Sequence, residues 1–122
     1  MPLSDIRVID LTRILAGPFC TQMLADMGAD VIKIEPPAGD PVRGQGIIRD
    51  GVSWYFAQFN RNKKSVVLDL YTDEGKETLA RLIEGADVLV ENYRPGVLDK
   101  MGFDQARLDA LNPDLVVTSV NG

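Results

Sequence analysis

The sequence predicts an α/β fold, a Rossmann-like parallel sheet with flanking helices. Three observations carry that prediction. Short β-branched runs recur along the chain, apolar residues at helical spacing lie between them, and glycines or acidic capping residues mark the changes of period. The 122 residues form one domain, 1–122, long enough to bury a core.

Taken in order, Arg7 to Leu11 (RVIDL) reads as the first strand and Thr12 to Pro18 (TRILAGP) as a loop. Phe19 to Met27 follows as a helix with Phe19, Met23, Leu24 and Met27 on its apolar face, stopped by Gly28. Asp30 to Glu35 (DVIKIE) is the second strand, mostly apolar as a buried parallel strand should be. From Pro36 to Ser53 the pattern disappears: three Pro and four Gly fall in eighteen positions, so a long loop is expected at 36–53. Trp54 to Asn60 reads as a helical turn packed on the sheet, and Ser65 to Leu70 (SVVLDL) as the third strand. Thr72 caps a helix with an acidic first turn that Gly85 ends. Asp87 to Val90 is the fourth strand, Asp104 to Leu111 a short helix, and Leu115 to Val120 the fifth strand.

The stretch Asp87 to Gly102 (DVLVENYRPGVLDKMG) organises the rest. A buried strand there delivers a polar loop to the edge at which open α/β sheets meet their ligands. Asn92 brings an amide that donates and accepts, Tyr93 an aromatic face, and Arg94 a planar fork suited to phosphate. The plain alternative is an ordinary β-to-α turn with a solvated Arg.

Composition narrows the chemistry. Eighteen acidic against 13 basic residues give a net charge of −5, which argues against a general nucleic-acid binder. A single Cys, Cys20, makes no internal disulfide, and with neither a signal pattern nor a long apolar run the expectation is a cytoplasmic protein with no membrane partner. The chain has no His, so these residues hold no Ser/His/Asp triad and no His-based metal site. After the first strand LTRILAGPFC carries one Gly, not the GxGxxG of a dinucleotide site, and no P-loop pattern occurs. What remains is a scattered polar set near predicted strand ends: Arg13, Arg43, Arg61, Lys63, Lys64, Asn92, Arg94 and Lys100. Such a set suits a ligand with several phosphates and an adenine to lie on Tyr93 or Met101; taken singly, each cation also fits a solvated surface charge.

The strings RVIDLTRILAGPFCTQMLADMGADVIKIEPPAGDPVRG, FNRNKKSVVLDL, EGKETLARLI and ADVLVENYRPGVLDKMGF, in this order and spacing, resemble the amino-terminal part of the family III CoA-transferases. The resemblance implies an enzyme moving CoA from an acyl-CoA to a carboxylic acid through intermediates on one Asp. It implies that this Rossmann-like domain binds coenzyme A without a metal, with Leu68, Asn92, Tyr93, Arg94, Lys100 and Met101 at positions that hold adenine, ribose and phosphates. It further implies a homodimer for full-length members. Leu15 stands where some members carry a Gln, which points away from formyl-CoA transferase proper. Lys100 stands where some have Arg, which keeps the charge and loses the fork.

Family members are several times longer, and their nucleophilic Asp lies beyond the last strand here. Asp10, Asp40, Asp69 and Asp87 do not match its motif, so no catalytic residue is assigned. The expectation is a domain incomplete relative to the family's large domain, inactive alone, with exposed apolar sheet edges. Two alternatives stay open: a fragment of a 2-methylacyl-CoA racemase-like enzyme, and a non-catalytic CoA-binding module.

Overall fold

The computed structural model describes residues 1–121. In chain order the first half holds β1 (Arg7–Asp10), α1 (Ala16–Asp26), β2 (Asp30–Glu35), a 3₁₀ turn at Pro41–Gly44, β3 (Ile48–Arg49), β4 (Val52–Ser53) and α2 (Trp54–Asn60). The second half holds β5 (Lys64–Val67), α3 (Asp73–Glu84), β6 (Val88–Glu91), α4 (Val97–Lys100), α5 (Gln105–Leu111) and β7 (Val116–Ser119).

Five of the strands form one parallel sheet in the order β5-β2-β1-β6-β7. The chain builds outward from β1 through β2 to β5, then returns to the other flank of β1 for β6 and β7. The switch in direction therefore lies between β1 and β6, which is where open α/β sheets form a crevice beyond their carboxyl ends. Alternation along each strand sorts the core onto two faces. Val8, Val31 and Val90 pack with Ala25 and Ala29 on the α1 side. Ile9, Ile32, Ile34 and Leu89 pack with Leu79, Ile83, Phe103 and Leu108 on the α3 and α5 side. Each fully buried aliphatic side chain contributes about 1.5–3 kcal/mol.

Local chemistry sets the helix starts. Thr72 Oγ1 accepts from Gly75 N and Asp104 Oδ1 from Arg107 N, as capping residues do. Ser53 Oγ accepts from Phe56 N and starts α2.

The elements fall where the sequence places them, with ends that differ. The third strand is Lys64–Val67 rather than Ser65–Leu70, so Leu68 to Leu70 belong to the turn beyond it. The fourth takes in Glu91 and leaves out Asp87, whose carboxylate accepts from Arg7 N at 2.8 Å. The 36–53 stretch is not wholly loop: it contains the 3₁₀ turn, capped by Asp40, and the β3–β4 hairpin.

Two expectations are corrected. The α2 helix packs against α1 and the 3₁₀ turn rather than on the sheet. In α1 the residues Phe19, Met23 and Met27 face outward, while Gly17, Pro18, Thr21, Gln22 and Ala25 are buried. The reason is close approach. A Cβ on Gly17 would lie 2.3 Å from Thr12 Cβ, so the start of α1 approaches the turn after β1 through a residue without a side chain. At the sheet edges Val67 and Val116 are more than half exposed.

Candidate functional site

A cleft of about 380 Å³ opens beyond the carboxyl ends of β1, β2, β5 and β6. One wall is apolar: Leu68, Leu70 and Tyr71 after β5 face Tyr93, Val97 and Met101 from the loop and helix after β6. The other wall is polar, with Thr12, Arg13, Lys33, Glu35 and Asp40.

The polar wall is built on buried charge. Lys33 Nζ lies 2.9 Å from Asp40 Oδ2 and both side chains are only 1% exposed. Lys63 Nζ lies 3.0 Å from Asp10, again with both side chains buried. Ions in an apolar interior persist only when paired and hydrogen-bonded, and each of these lysines has a carboxylate and at least one further acceptor. Lys33 also donates to the Thr12 carbonyl, and Lys63 to the Pro18 carbonyl and Asn60 Oδ1. Asp10 further accepts from Thr12 N, Thr12 Oγ1 and Thr21 Oγ1. Burial pulls the Lys63 ammonium below the usual lysine range, opposed by the nearby Asp10 carboxylate.

Glu35 closes this wall. Arg43 donates to it twice, at 2.7 and 2.6 Å, with the guanidinium stacked 3.8 Å from the Phe56 ring centroid. Burial pushes the Glu35 carboxyl up, but Arg43, the Asp40 amide and the Ser65 hydroxyl outweigh it and bring the pKa from 4.5 down to about 2. A depressed carboxylate contributes stability that is present above its unfolded pKa and lost as the pH falls through the folded one. Urea unfolding of wild type and Glu35→Gln is therefore expected to show a stability advantage for wild type that is full above pH 4.5 and fades towards about pH 2. Parallel pH profiles for the two proteins would contradict it.

The loop Thr12–Leu15 is held from several directions. Asn92 Oδ1 accepts from Arg13 N at 3.1 Å and Asn92 Nδ2 donates to the Arg13 carbonyl at 2.8 Å. Asp40 accepts from Ile14 N at 3.3 Å. Ile14 itself sits at φ +75°. A left-handed backbone costs on the order of 1–3 kcal/mol away from glycine and is rarest for β-branched residues, so surrounding bonds must hold it.

The structure brings three of the sequence-predicted residues, Leu68, Tyr93 and Met101, together on the apolar wall. Asn92 lies at the switch point between β1 and β6, with its amide engaged by Arg13. Arg94 lies in a separate hollow of about 260 Å³ beside β7, with Phe103 and Ser119. Lys100 ends α4 on the exposed surface, next to Met101. Of the wider basic set, Arg43 pairs with Glu35, Arg61 with Asp26, Lys63 with Asp10 and Lys64 with Asp30. Sequence reasoning missed Lys33, Glu35 and Asp40 as parts of the cleft. A Lys at the centre of the apolar run VIKI was the available signal, because a lysine there needs a buried partner.

The sequence profile of CoA-transferase family III matches residues 3–122. The chain belongs to this family. As a family III member it is 47% identical over 125 residues to a succinyl-CoA:mesaconate CoA-transferase of Haloarcula hispanica, covering 98% of this chain and 32% of that protein. It is 49% identical over 122 residues to a formyl-CoA:oxalate CoA-transferase of Rhodopseudomonas palustris, covering 98% and 29% respectively. Among solved structures, a CAIB/BAIF family protein from Brucella suis superposes with a TM-score of 0.94 at 46% identity, over 100% of this chain and 34% of that one. The chain thus spans about a third of the length of the family members it matches.

Among the described residues no cluster of His, Cys, Asp and Glu is arranged to hold a metal, and no helix is long and apolar enough to cross a membrane.

Proposed function

We propose that this chain supplies the coenzyme A site of a CoA-transferase that moves CoA from an acyl-CoA to a carboxylic acid. The observation that carries the reading is the cleft beyond four strand ends, where Leu68, Tyr93 and Met101 line an apolar wall opposite a polar one. An adenine lies on such an apolar wall and its phosphates meet the polar side.

The carboxylate nucleophile of that chemistry belongs to a segment outside the motifs matched here, so the domain binds and does not react by itself. Asp10 and Asp40 fit this division. Each is buried against a lysine and several other donors, an arrangement that restrains a carboxylate rather than freeing it to attack a thioester. The named relatives are CoA-transferases, which favours transfer over the proton movement of a racemase. The partners are an acyl-CoA and a carboxylic acid, with no nucleic acid and no membrane. The whole enzyme is a cytoplasmic homodimer.

Calorimetric titration with CoA tests the reading. Wild type is expected to bind, and Tyr93→Ala to bind more weakly by about 1–3 kcal/mol, the range for a base stacked on an aromatic ring. A folded wild type that does not bind CoA would overturn it.

A further inference from the structure

The backbone groups of the turn after β1 are held by side chains from elsewhere rather than by a strand ladder. Asp10 holds Thr12 N, Lys33 holds the Thr12 carbonyl, Asn92 holds both the N–H and the carbonyl of Arg13, and Asp40 holds Ile14 N. Four charged or amide side chains therefore fix three consecutive residues, one of them in the left-handed region. Such an arrangement keeps one backbone geometry and the side chain it carries.

That side chain is Arg13. It is exposed and lines the cleft. The other basic residue lining the cleft, Lys33, is consumed by Asp40, whereas among the described residues Arg13 has no carboxylate within ion-pair reach. Arg13 and Tyr93 line the same cleft, and burial raises the Tyr93 phenol above its usual range, opposed by the positive charge of Arg13. On the same wall Glu35 is neutralised by Arg43. A ligand with a ring on the apolar wall and negative charge beside it meets Arg13 as the available cation, and a guanidinium fork matches a phosphate with two parallel hydrogen bonds.

We propose that Arg13 binds a phosphate group of CoA in this cleft and that Asn92 is its positioning residue. The proposal rests on the CoA-binding reading above. It gives Asn92 a part other than ligand contact, since both atoms of its amide are engaged with Arg13.

Calorimetry with CoA and with adenosine, which lacks the phosphates, tests it on wild type, Arg13→Ala, Arg13→Lys, Asn92→Ala and the double variant. Arg13→Ala is expected to weaken CoA by at least about tenfold and to leave adenosine unchanged. Arg13→Lys recovers part of the loss, because it keeps the charge without the fork. Asn92→Ala weakens CoA less, and adds nothing once Arg13 is gone. Four results would overturn the proposal: unchanged CoA affinity in Arg13→Ala, an equal fall for CoA and adenosine, no recovery of CoA affinity in Arg13→Lys relative to Arg13→Ala, or additive effects of the two alanine variants. If wild type binds adenosine and CoA and only these variants disagree, the CoA reading stands and the role of Arg13 falls. If wild type binds no CoA, both fall together.

Discussion

Asp40→Ala is expected to destabilise the protein by about 3–5 kcal/mol, the cost of breaking a buried ion pair by removing one partner. The substitution leaves the Lys33 ammonium buried with the Thr12 carbonyl as its remaining acceptor. It also releases Ile14 N and Val42 N, and with them the strained turn and the 3₁₀ cap. Chemical unfolding at neutral pH measures the loss. The paired variant Lys33→Met with Asp40→Leu removes both charges, and because ion pairs replaced by apolar residues of similar volume are often neutral or better, it should recover a large part of it. A double variant as unstable as Asp40→Ala would show that the backbone bonds of Asp40, rather than the charge left on Lys33, carry the effect.

Phe103→Ala is expected to cost about 3–5 kcal/mol as well, for a different reason. Phe103 is 3% exposed and fills the core between α3, α5 and the sheet, where Leu79, Ile83, Leu89 and Leu108 are packed as tightly. Truncation removes most of an aromatic ring and leaves a void that these side chains close only in part. Phe103→Leu, which keeps most of the volume, should cost clearly less. Equal losses for the two variants in urea unfolding would mean that the site collapses freely and the packing account is wrong.

Which features were legible follows from what each residue responds to. Val8, Ile9, Val31 and Ile32 declare their strands because local burial alone dictates them, and Thr72 and Gly85 bracket α3 through chemistry confined to a single turn. The face of α1 was not legible. Phe19, Met23 and Met27 carry the apolar spacing, yet Gly17 meets the turn at Thr12 and Ala25 meets the sheet, because the separation between helix and sheet is a tertiary quantity that hydrophobicity does not encode. The cations illustrate the same limit. Arg43, Lys63 and Arg94 look alike in sequence, but Glu35 takes the first, Asp10 the second, and the third lies outside the cleft. Partners up to 53 positions away decided this for Lys63. The family resemblance named Leu68, Tyr93 and Met101 in one set with Asn92, Arg94 and Lys100, and the sheet order explains why the first three meet in one cleft: the turns after β5 and β6 are carried to the same end by parallel strands.

The central position of β1 has a consequence for the way the chain comes to be folded. β1 is flanked by β2 and β6, and Val8 pairs with Val88, eighty residues later. At about 5–20 residues per second a ribosome takes roughly 4–16 s to deliver that second neighbour. Throughout that interval one margin of β1 offers its hydrogen-bonding groups to whatever strand is at hand. Non-local pairings of this kind also slow folding, because a long loop must close before the contact rewards it. The nascent protein is therefore most exposed to mispairing in the seconds before β6 emerges, and a chaperone that shields an open strand edge would act in that window.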